Sequence, residues 1–257
     1  MPIAPNSPRI RLLIQELDCS GSINMATDEC LLETALAHDI STVRIYGWDQ
    51  ATVSLGYFQP PDDPDRMLRF GQLPTVRRLS GGGAILHHFE ITYSIALGSS
   101  HPLAIEPGRL YQLAHEAINT ELASLRLPTR LRGSDLKDGP EPFLCFSRGD
   151  KNDLVFGSAK IVGSAQRRRR GAVLQHGSLI LRSSPHASEI RGIMDLAPNC
   201  LIPNDFRDRL GNAIAQRLGN SIESTELTDA ELSRVNELIE SRYSHLNWGR
   251  PSTAIVS

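Results

Sequence analysis

Residues 145 to 177 read CFSRGDKNDLVFGSAKIVGSAQRRRRGAVLQHG, a stretch that leaves a chain few ways to fold. The runs NDLVF and KIVGSAQ are joined by a Gly-Ser turn, and a third run, GAVLQHGSLIL, follows four consecutive arginines. Such a pattern predicts a short antiparallel sheet. Lys160 opens its second strand, where lysine is a poor strand residue with no packing reason to sit between Ala159 and Ile161. The small residues Gly163, Ser164 and Ala165 beside it leave room for a ligand. Upstream stands a lone thiol, Cys145. A nucleophile and a cation on adjoining backbone form a chemical arrangement, although either residue taken singly also fits a structural role.

The remaining sequence narrows the class. With 257 residues, 40% hydrophobic and 22% charged, the chain can bury a large core as an ordinary globular protein. No run approaches the roughly eighteen apolar residues of a membrane span, and MPIAPNSPRI has no apolar signal core, so a cytoplasmic protein without membrane partners is expected. Cys19, Cys30, Cys145 and Cys200 are irregularly spaced without a CxxC, which argues for free thiols and against a structural metal site or a disulfide framework. A net charge of −2 disfavours nucleic acid as a partner and leaves an acidic partner to a local basic patch.

Along the chain, residues 1–8 carry three prolines and read as a flexible tail, and residues 9–250 as a single catalytic domain. RIRLLIQEL suits a first strand, and SINMATDECLLETALAH a helix capped by Ser22 with Cys30 on its core face. TVRIYGW and ATVSLGYF, separated by Asp49 and Gln50, suggest a hairpin, and Asp62 to Phe70 a short helix ended by Gly71. Glu106 to Leu127 has helical apolar spacing. RLRGSDLKDGPEP reads as a mobile loop delivering FLCF. SSPHASEIRGIMDL is expected to open a helical region, followed by helices over Asn204 to Leu218 and Asp229 to Tyr243.

TVRRLSGGGAILHHFEITYSIAL parses as strand, three glycines, strand and a third strand. Three glycines let backbone approach a ligand closely, and they equally make a flexible hairpin connection. Arg77 and Arg78 point to opposite faces of a strand, so one of them shares the loop's side, where an arginine suits a phosphate or a carbonyl.

Taken together, RRLSGGGAILH and GSAKIVGSAQ resemble the two signatures of the biotin/lipoate protein ligase superfamily, specifically its lipoate ligases and octanoyltransferases. The resemblance runs from the helix near Met25 to the HGSLIL strand. It implies an α/β (mixed α+β) fold of the class II aminoacyl-tRNA synthetase and biotinyl/lipoyl-ligase type, a largely antiparallel sheet flanked by helices. The superfamily's arginine pair, Ser-Gly-Gly-Gly run and histidine fall on Arg77, Arg78, Ser80 to Gly83 and His87, and its lysine on Lys160. Where ATP-dependent ligases usually carry an aspartate after the histidine, His88 and FEITYS stand here, which resembles the cysteine-dependent octanoyltransferases. In that branch a cysteine on a loop before the lysine strand accepts the acyl chain, and Cys145 is its counterpart.

The resemblance implies octanoyl transfer from an acyl carrier protein to a lysine of a lipoyl domain, or of a glycine-cleavage H-type protein, through a Cys145 thioester and with no cofactor. Lys160 would favour the thiolate and bond the acyl carbonyl as charge develops there. Arg78, Ser80, Gly81, Gly82, Gly83, Ala84, Ile85, Leu86, His87, Gly163, Ser164, Ala165 and His176 would line the substrate site. For Cys145 the plain reading is a small buried hydrophobe, for Lys160 a snorkelling surface lysine, and for His87 and His176 structural hydrogen bonding. Arg167 to Arg170 form either a solvated turn or a docking patch for acidic carrier domains. Two rivals remain: an ATP-dependent lipoate ligase, in which Arg78, Gly83 to Leu86 and Lys160 cradle a lipoyl-adenylate with magnesium, and a carrier-binding module without catalysis.

Overall fold

The computed structural model of the chain describes residues 8–134, 143–147 and 149–248. Its strands are β1 (Arg9–Ile14), β2 (Ser41–Tyr46), β3 (Thr52–Leu55), β4 (Thr75–Arg77), β5 (Ile85–His87), β6 (Glu90–Leu97), β7 (Thr129–Leu131), β8 (Leu154–Phe156), β9 (Ala159–Arg169), β10 (Ala172–Ile180) and β11 (Ser221–Ser224). Eight of them form one sheet in the order β11-β1-β2-β6-β10-β9-β8-β7, antiparallel from β2 onward and parallel at the β11-β1-β2 edge. A second sheet has the order β4-β3-β5. The helices are α1 (Gly21–His38), α2 (Pro64–Phe70), α3 (Pro107–Ser124), α4 (Ile193–Leu196), α5 (Phe206–Leu218) and α6 (Asp229–Leu238). This is the mixed α/β architecture that the sequence implies. Among the described residues no helix is long and apolar enough to cross a membrane.

Strand alternation sorts the side chains into two layers. Ile10, Leu12, Val43, Ile45, Ile91, Ile95, Val173 and Leu179 join α3 and α5 in the principal core. Their neighbours in sequence turn the other way. Leu13, Ala96, Ala172 and Leu174 meet Leu31, Leu32 and Ala35 of α1, and Tyr46 meets Met25, Ala26 and Cys30. On that face Arg44, Ser94 and His176 are buried against Asp28 of α1, a polar layer inside the protein.

The fold departs from several local expectations. β2 and β3 do not form a hairpin: β2, buried along its whole length, lies between β1 and β6, and β3 leaves for the second sheet. The cap of α1 is Ser20, whose hydroxyl accepts from the Ile23 amide at 3.5 Å, and not Ser22. Within SSPHASEIRGIMDL only Ile193–Leu196 is helical, because Ser184 and Ala187 close a tight turn around Pro185. The glycine run is no hairpin either, since β4 and β5 both pair with β3 and not with each other. Arg167, Arg168 and Arg169 extend β9, leaving only Arg170 (φ 48°) and Gly171 (φ 91°) in the turn. Arg167 stacks over Tyr57, and Arg169 lies 3.9 Å from Glu29 and 3.8 Å from Glu33, so a wholly solvated turn is excluded. The expected 130–142 loop begins inside β7, which includes Arg130 and Leu131, and most of the rest of that loop and nearly all of the expected tail lie outside the described residues.

Candidate active site

The glycine loop is folded around one guanidinium. Arg78 donates from Nη2 to the carbonyls of Gly81 and Gly83, both at 2.7 Å, from Nη1 to the Ser54 carbonyl at 2.9 Å, and from Nε to Ser80 Oγ at 3.2 Å. Of the two partners the sequence allows for this arginine, the fold supplies carbonyls. Gly82 (φ 89°) lies in the region that favours glycine, and a Cβ at Gly56 would fall 2.0 Å from the Gly82 carbonyl oxygen. Backbone conformation therefore fixes Gly82 and close backbone approach fixes Gly56. Arg77 anchors the loop's other side through the carbonyls of Gly56, Tyr57 and Gln59.

Two buried histidines extend from this hub. His176 faces Ser80 Oγ through Nε2 at 2.5 Å and Asp28 through Nδ1 at 3.1 Å. His87 faces Ser54 Oγ through Nε2 at 2.8 Å and Glu90 through Nδ1 at 2.7 Å, with its ring stacked on Trp48 at 3.7 Å. Burial pushes His87 below the ordinary histidine value, against the pull of Glu90. In a neutral His87 whose Nδ1–H donates to Glu90, Nε2 is an acceptor, so Ser54 donates its hydroxyl proton to it. Arg78, His87, Ile85 and His176 line one narrow cavity with Met25 and Gly177. Alternation along β5 sends Ala84 and Leu86 elsewhere, into a small core with Leu144 and Ala187.

The cysteine is fixed to this loop by its backbone. Ala84 N donates to the Phe143 carbonyl at 3.0 Å, and Cys145 N donates to the Ala84 carbonyl at 2.7 Å. Cys145, half-buried, begins a single 3-10 turn, Cys145–Ser147. Lys160 Nζ donates to the Cys145 carbonyl at 3.4 Å. The glycine loop, the cysteine turn and the lysine strand thus converge.

A β-bulge aims that lysine. Leu154 pairs with Val162 and Val155 with Lys160, so one residue of β9 is extra. Ile161 and Val162 both enter the principal core, and Lys160 is turned over to the face of Gly163. A Cβ at Gly163 would lie 2.4 Å from Lys160 Cε and 2.8 Å from Nζ, so this glycine makes room for the lysine itself. Lys160 forms a buried ion pair with Asp153 at 2.9 Å, a partner that the sequence reading did not single out. Burial pushes the Asp153 carboxyl up, and Lys160 opposes that rise.

Ser164 belongs to an internal chain on the opposite face. Its Oγ lies 2.6 Å from Tyr93 Oη and 2.6 Å from His115 Nε2. Gln175 donates to Tyr93 Oη at 2.9 Å, Gln166 donates to Gln175 at 2.7 Å, and His115 Nδ1 bonds the Asn152 carbonyl. Since a carbonyl only accepts, Nδ1 carries the proton and Ser164 donates to a neutral His115. Burial pushes His115 down to about 4 and Tyr93 up to about 12. Next along β9, Ala165 pairs in register with His176. Asp153, His115 and Asp28 have no site role in the sequence reading, and Glu90 enters it only as part of the FEITYS wording that favours the cysteine-dependent branch.

The family described as the lipoyl protein ligase A/B catalytic domain matches residues 20–229. Two octanoyltransferases, LipM of Anoxybacillus flavithermus and LipM of Symbiobacterium thermophilum, are 30% and 31% identical, covering 90% and 89% of this chain and 94% and 93% of their own lengths. Among solved structures, a lipoate-protein ligase A bound with ATP has a TM-score of 0.72 at 23% identity, covering 94% of this chain and 98% of its own. The bi-partite lipoate protein ligase of Thermoplasma acidophilum gives 0.71 at 22%, covering 97% and 100%. At such identities the structural likeness shows the fold. The family match spans both signatures and the cysteine turn between them: this chain belongs to the lipoyl protein ligase A/B catalytic domain family.

Proposed function

We propose that this acyltransferase moves an octanoyl group from an acyl carrier protein to a lysine of a lipoyl domain, or of a glycine-cleavage H-type protein, by way of Cys145. The observation that carries the reading is the convergence of Ala84, Cys145 and Lys160 through main-chain and ammonium hydrogen bonds. In the first step the Cys145 thiolate attacks the carbonyl carbon of the carrier thioester. A new C–S bond forms, the carrier's C–S bond breaks, and the carrier thiol leaves with a proton. In the second step the acceptor lysine amine attacks the Cys145 thioester, the amide forms, the amine's proton is released and the thiolate returns. Among the described residues Asp153 and the Cys145 carbonyl meet two of the three donor directions of Lys160, which would leave one N–H for the developing oxyanion. His87, His176 and Ile85 would lie beside the acyl chain, and Gly163 and Ser164 would serve by fitting Lys160 and its underlying sheet together.

The ATP-dependent ligase reading needs Arg78 at a phosphate. The loop carbonyls that hold Arg78 favour transfer from an activated thioester instead. Intact-mass spectrometry after incubation with octanoyl carrier protein, without nucleotide, tests the proposal. An octanoyl adduct that is discharged by the acceptor is expected, and strict dependence of acceptor modification on ATP would overturn it.

A further inference from the structure

Lys160 is not held by the cysteine turn alone. Its side chain is 4% exposed and that of Asp153 3%, and a buried ammonium without a counter-charge is strongly disfavoured relative to the amine. Asp153 is itself fixed. Its Oδ2 accepts from the Asp150 amide at 2.7 Å and lies 3.4 Å from Arg132 Nε. Its own amide donates to the Asp150 carbonyl at 3.0 Å, and its carbonyl accepts from the Arg132 amide at 2.8 Å. The other titratable or charged groups around Lys160 are Arg132 after β7, Asp150 in the same turn, Cys145 in the 3-10 turn and His115 on α3, which burial keeps neutral near pH 7. Among the described residues Asp153 is the only carboxylate in ion-pair contact with Nζ.

The turn that carries Asp153 also joins the cysteine turn to β8. Nucleophile and counter-charge therefore ride on one short segment, with the ammonium between them. A Cβ at Gly163 would come within 3.7 Å of Asp153 Oδ1 as well as onto Nζ, so the strand leaves a gap shaped for the pair.

We propose that Asp153 is a positioning residue of the acyl-transfer step: it keeps Lys160 an ammonium in a buried place and holds it against the Cys145 turn, so that the positive charge is set before the acyl group arrives. This rests on the octanoyl-transfer reading above. Asp153 touches neither thiol nor acyl group and acts through Lys160.

The test compares the full chain with Asp153→Asn and Asp153→Glu. Steady-state octanoyl transfer is followed from pH 6 to 10, and alkylation of Cys145 by iodoacetamide, located by peptide mapping, is followed over the same range. With Asn, which keeps the shape and removes the charge, kcat at pH 8 should fall about tenfold or more while KM for the octanoyl carrier stays within about twofold. The alkaline limb of kcat should move to lower pH, and the midpoint of Cys145 alkylation to higher pH, each by about one unit. Glu should restore part of both shifts. A rate that falls equally at every pH with an unmoved alkylation midpoint means that Asp153 only supports the fold, and the proposal is overturned. If Asp153→Asn does not fold, 15Nζ-lysine NMR of the unaltered protein decides, the Lys160 signal being the one missing in Lys160→Met: an ammonium at pH 9 supports the proposal, and a neutral amine at pH 8 overturns it. Alkylation needs no acyl donor, so if the unaltered protein fails to transfer octanoyl while Asp153→Asn still moves the alkylation midpoint, the octanoyl reading falls and the role of Asp153 in setting the charge of Lys160 stands.

Discussion

Ser80 and His176, 96 residues apart, meet at 2.5 Å in the interior and tie the glycine loop to the sheet. Arg78 donates to the same hydroxyl and to three carbonyls around it. Arg78→Lys should therefore be far from conservative, because an ammonium cannot reproduce the planar fork. A loss of about 3 kcal/mol is expected from the buried carbonyls left without charged donors. Chemical denaturation measures it, and limited proteolysis between Leu79 and Ala84 should quicken. Stability within experimental error of the parent would mean that the loop does not depend on this guanidinium.

Cys145→Ala and Cys145→Ser should both lose the octanoyl adduct and transfer while melting within a few degrees of the parent. The side chain is half-buried, and its anchoring bonds belong to the main chain. Ser is the sharper variant, since a hydroxyl without a dedicated base attacks poorly at neutral pH. Transfer at the parental rate, or an adduct mapped to Cys19, Cys30 or Cys200, would rule out the covalent route through this residue.

Gly163→Ala adds one methyl group at a contact of 2.4 Å with Lys160 Cε. The lysine must move to accommodate it, so kcat should drop about tenfold, equivalent to ~1.4 kcal/mol in the barrier, with circular dichroism unchanged. A crystal structure of the variant should show Nζ displaced from Asp153. Full activity would show that the lysine tolerates another position.

His115 sets an acid limit on stability. In the unfolded chain a histidine takes up its proton near 6.5, whereas the folded His115 does so only at about 4. Between these values the unfolded state binds more protons, so the contribution is complete above pH 6.5 and is lost as pH falls through 4. The span corresponds to about 3 kcal/mol. His115→Gln should be less stable than the parent at pH 7 and should show a flatter stability profile from pH 7 to 4. Parallel profiles for the two proteins would contradict this assignment.

The arginine block should act on encounter more than on chemistry. Arg168, Arg169 and Arg170 are exposed, and such charges are screened by salt. Replacing Arg167 to Arg170 by Ser should weaken the apparent affinity for the carrier at low salt and flatten its salt dependence. Part of any stability change belongs to the stacking of Arg167 on Tyr57. An unaltered salt dependence would exclude a docking role.

How much of this was legible beforehand depended on where each residue's reason for being there lies. The glycine run, Lys160 and the helices over α1 and α3 carry theirs locally, in backbone freedom, a misplaced charge and apolar spacing. The β2–β3 segment misled because two polar residues between β-rich runs have the form of a tight turn whichever sheet the second run joins. Asp153 and His115 have no local peculiarity. They become partners of Lys160 and Ser164 only through a bulge and a sheet order that spacing does not encode. Gly163 was noticed for the right absence and the wrong occupant, since the space it leaves is filled by Lys160.

The main-chain hydrogen bond by which the Cys145 amide is seated on the Ala84 carbonyl has an evolutionary consequence. Any amino acid except proline can donate from that position, so the address of the nucleophile is written in the main chain and its chemistry in the side chain. A lineage with this backbone can exchange sulfur for another group by a single substitution and keep the geometry around it. Catalytic strategies can then diverge within one fold while the scaffold stays under selection for shape alone.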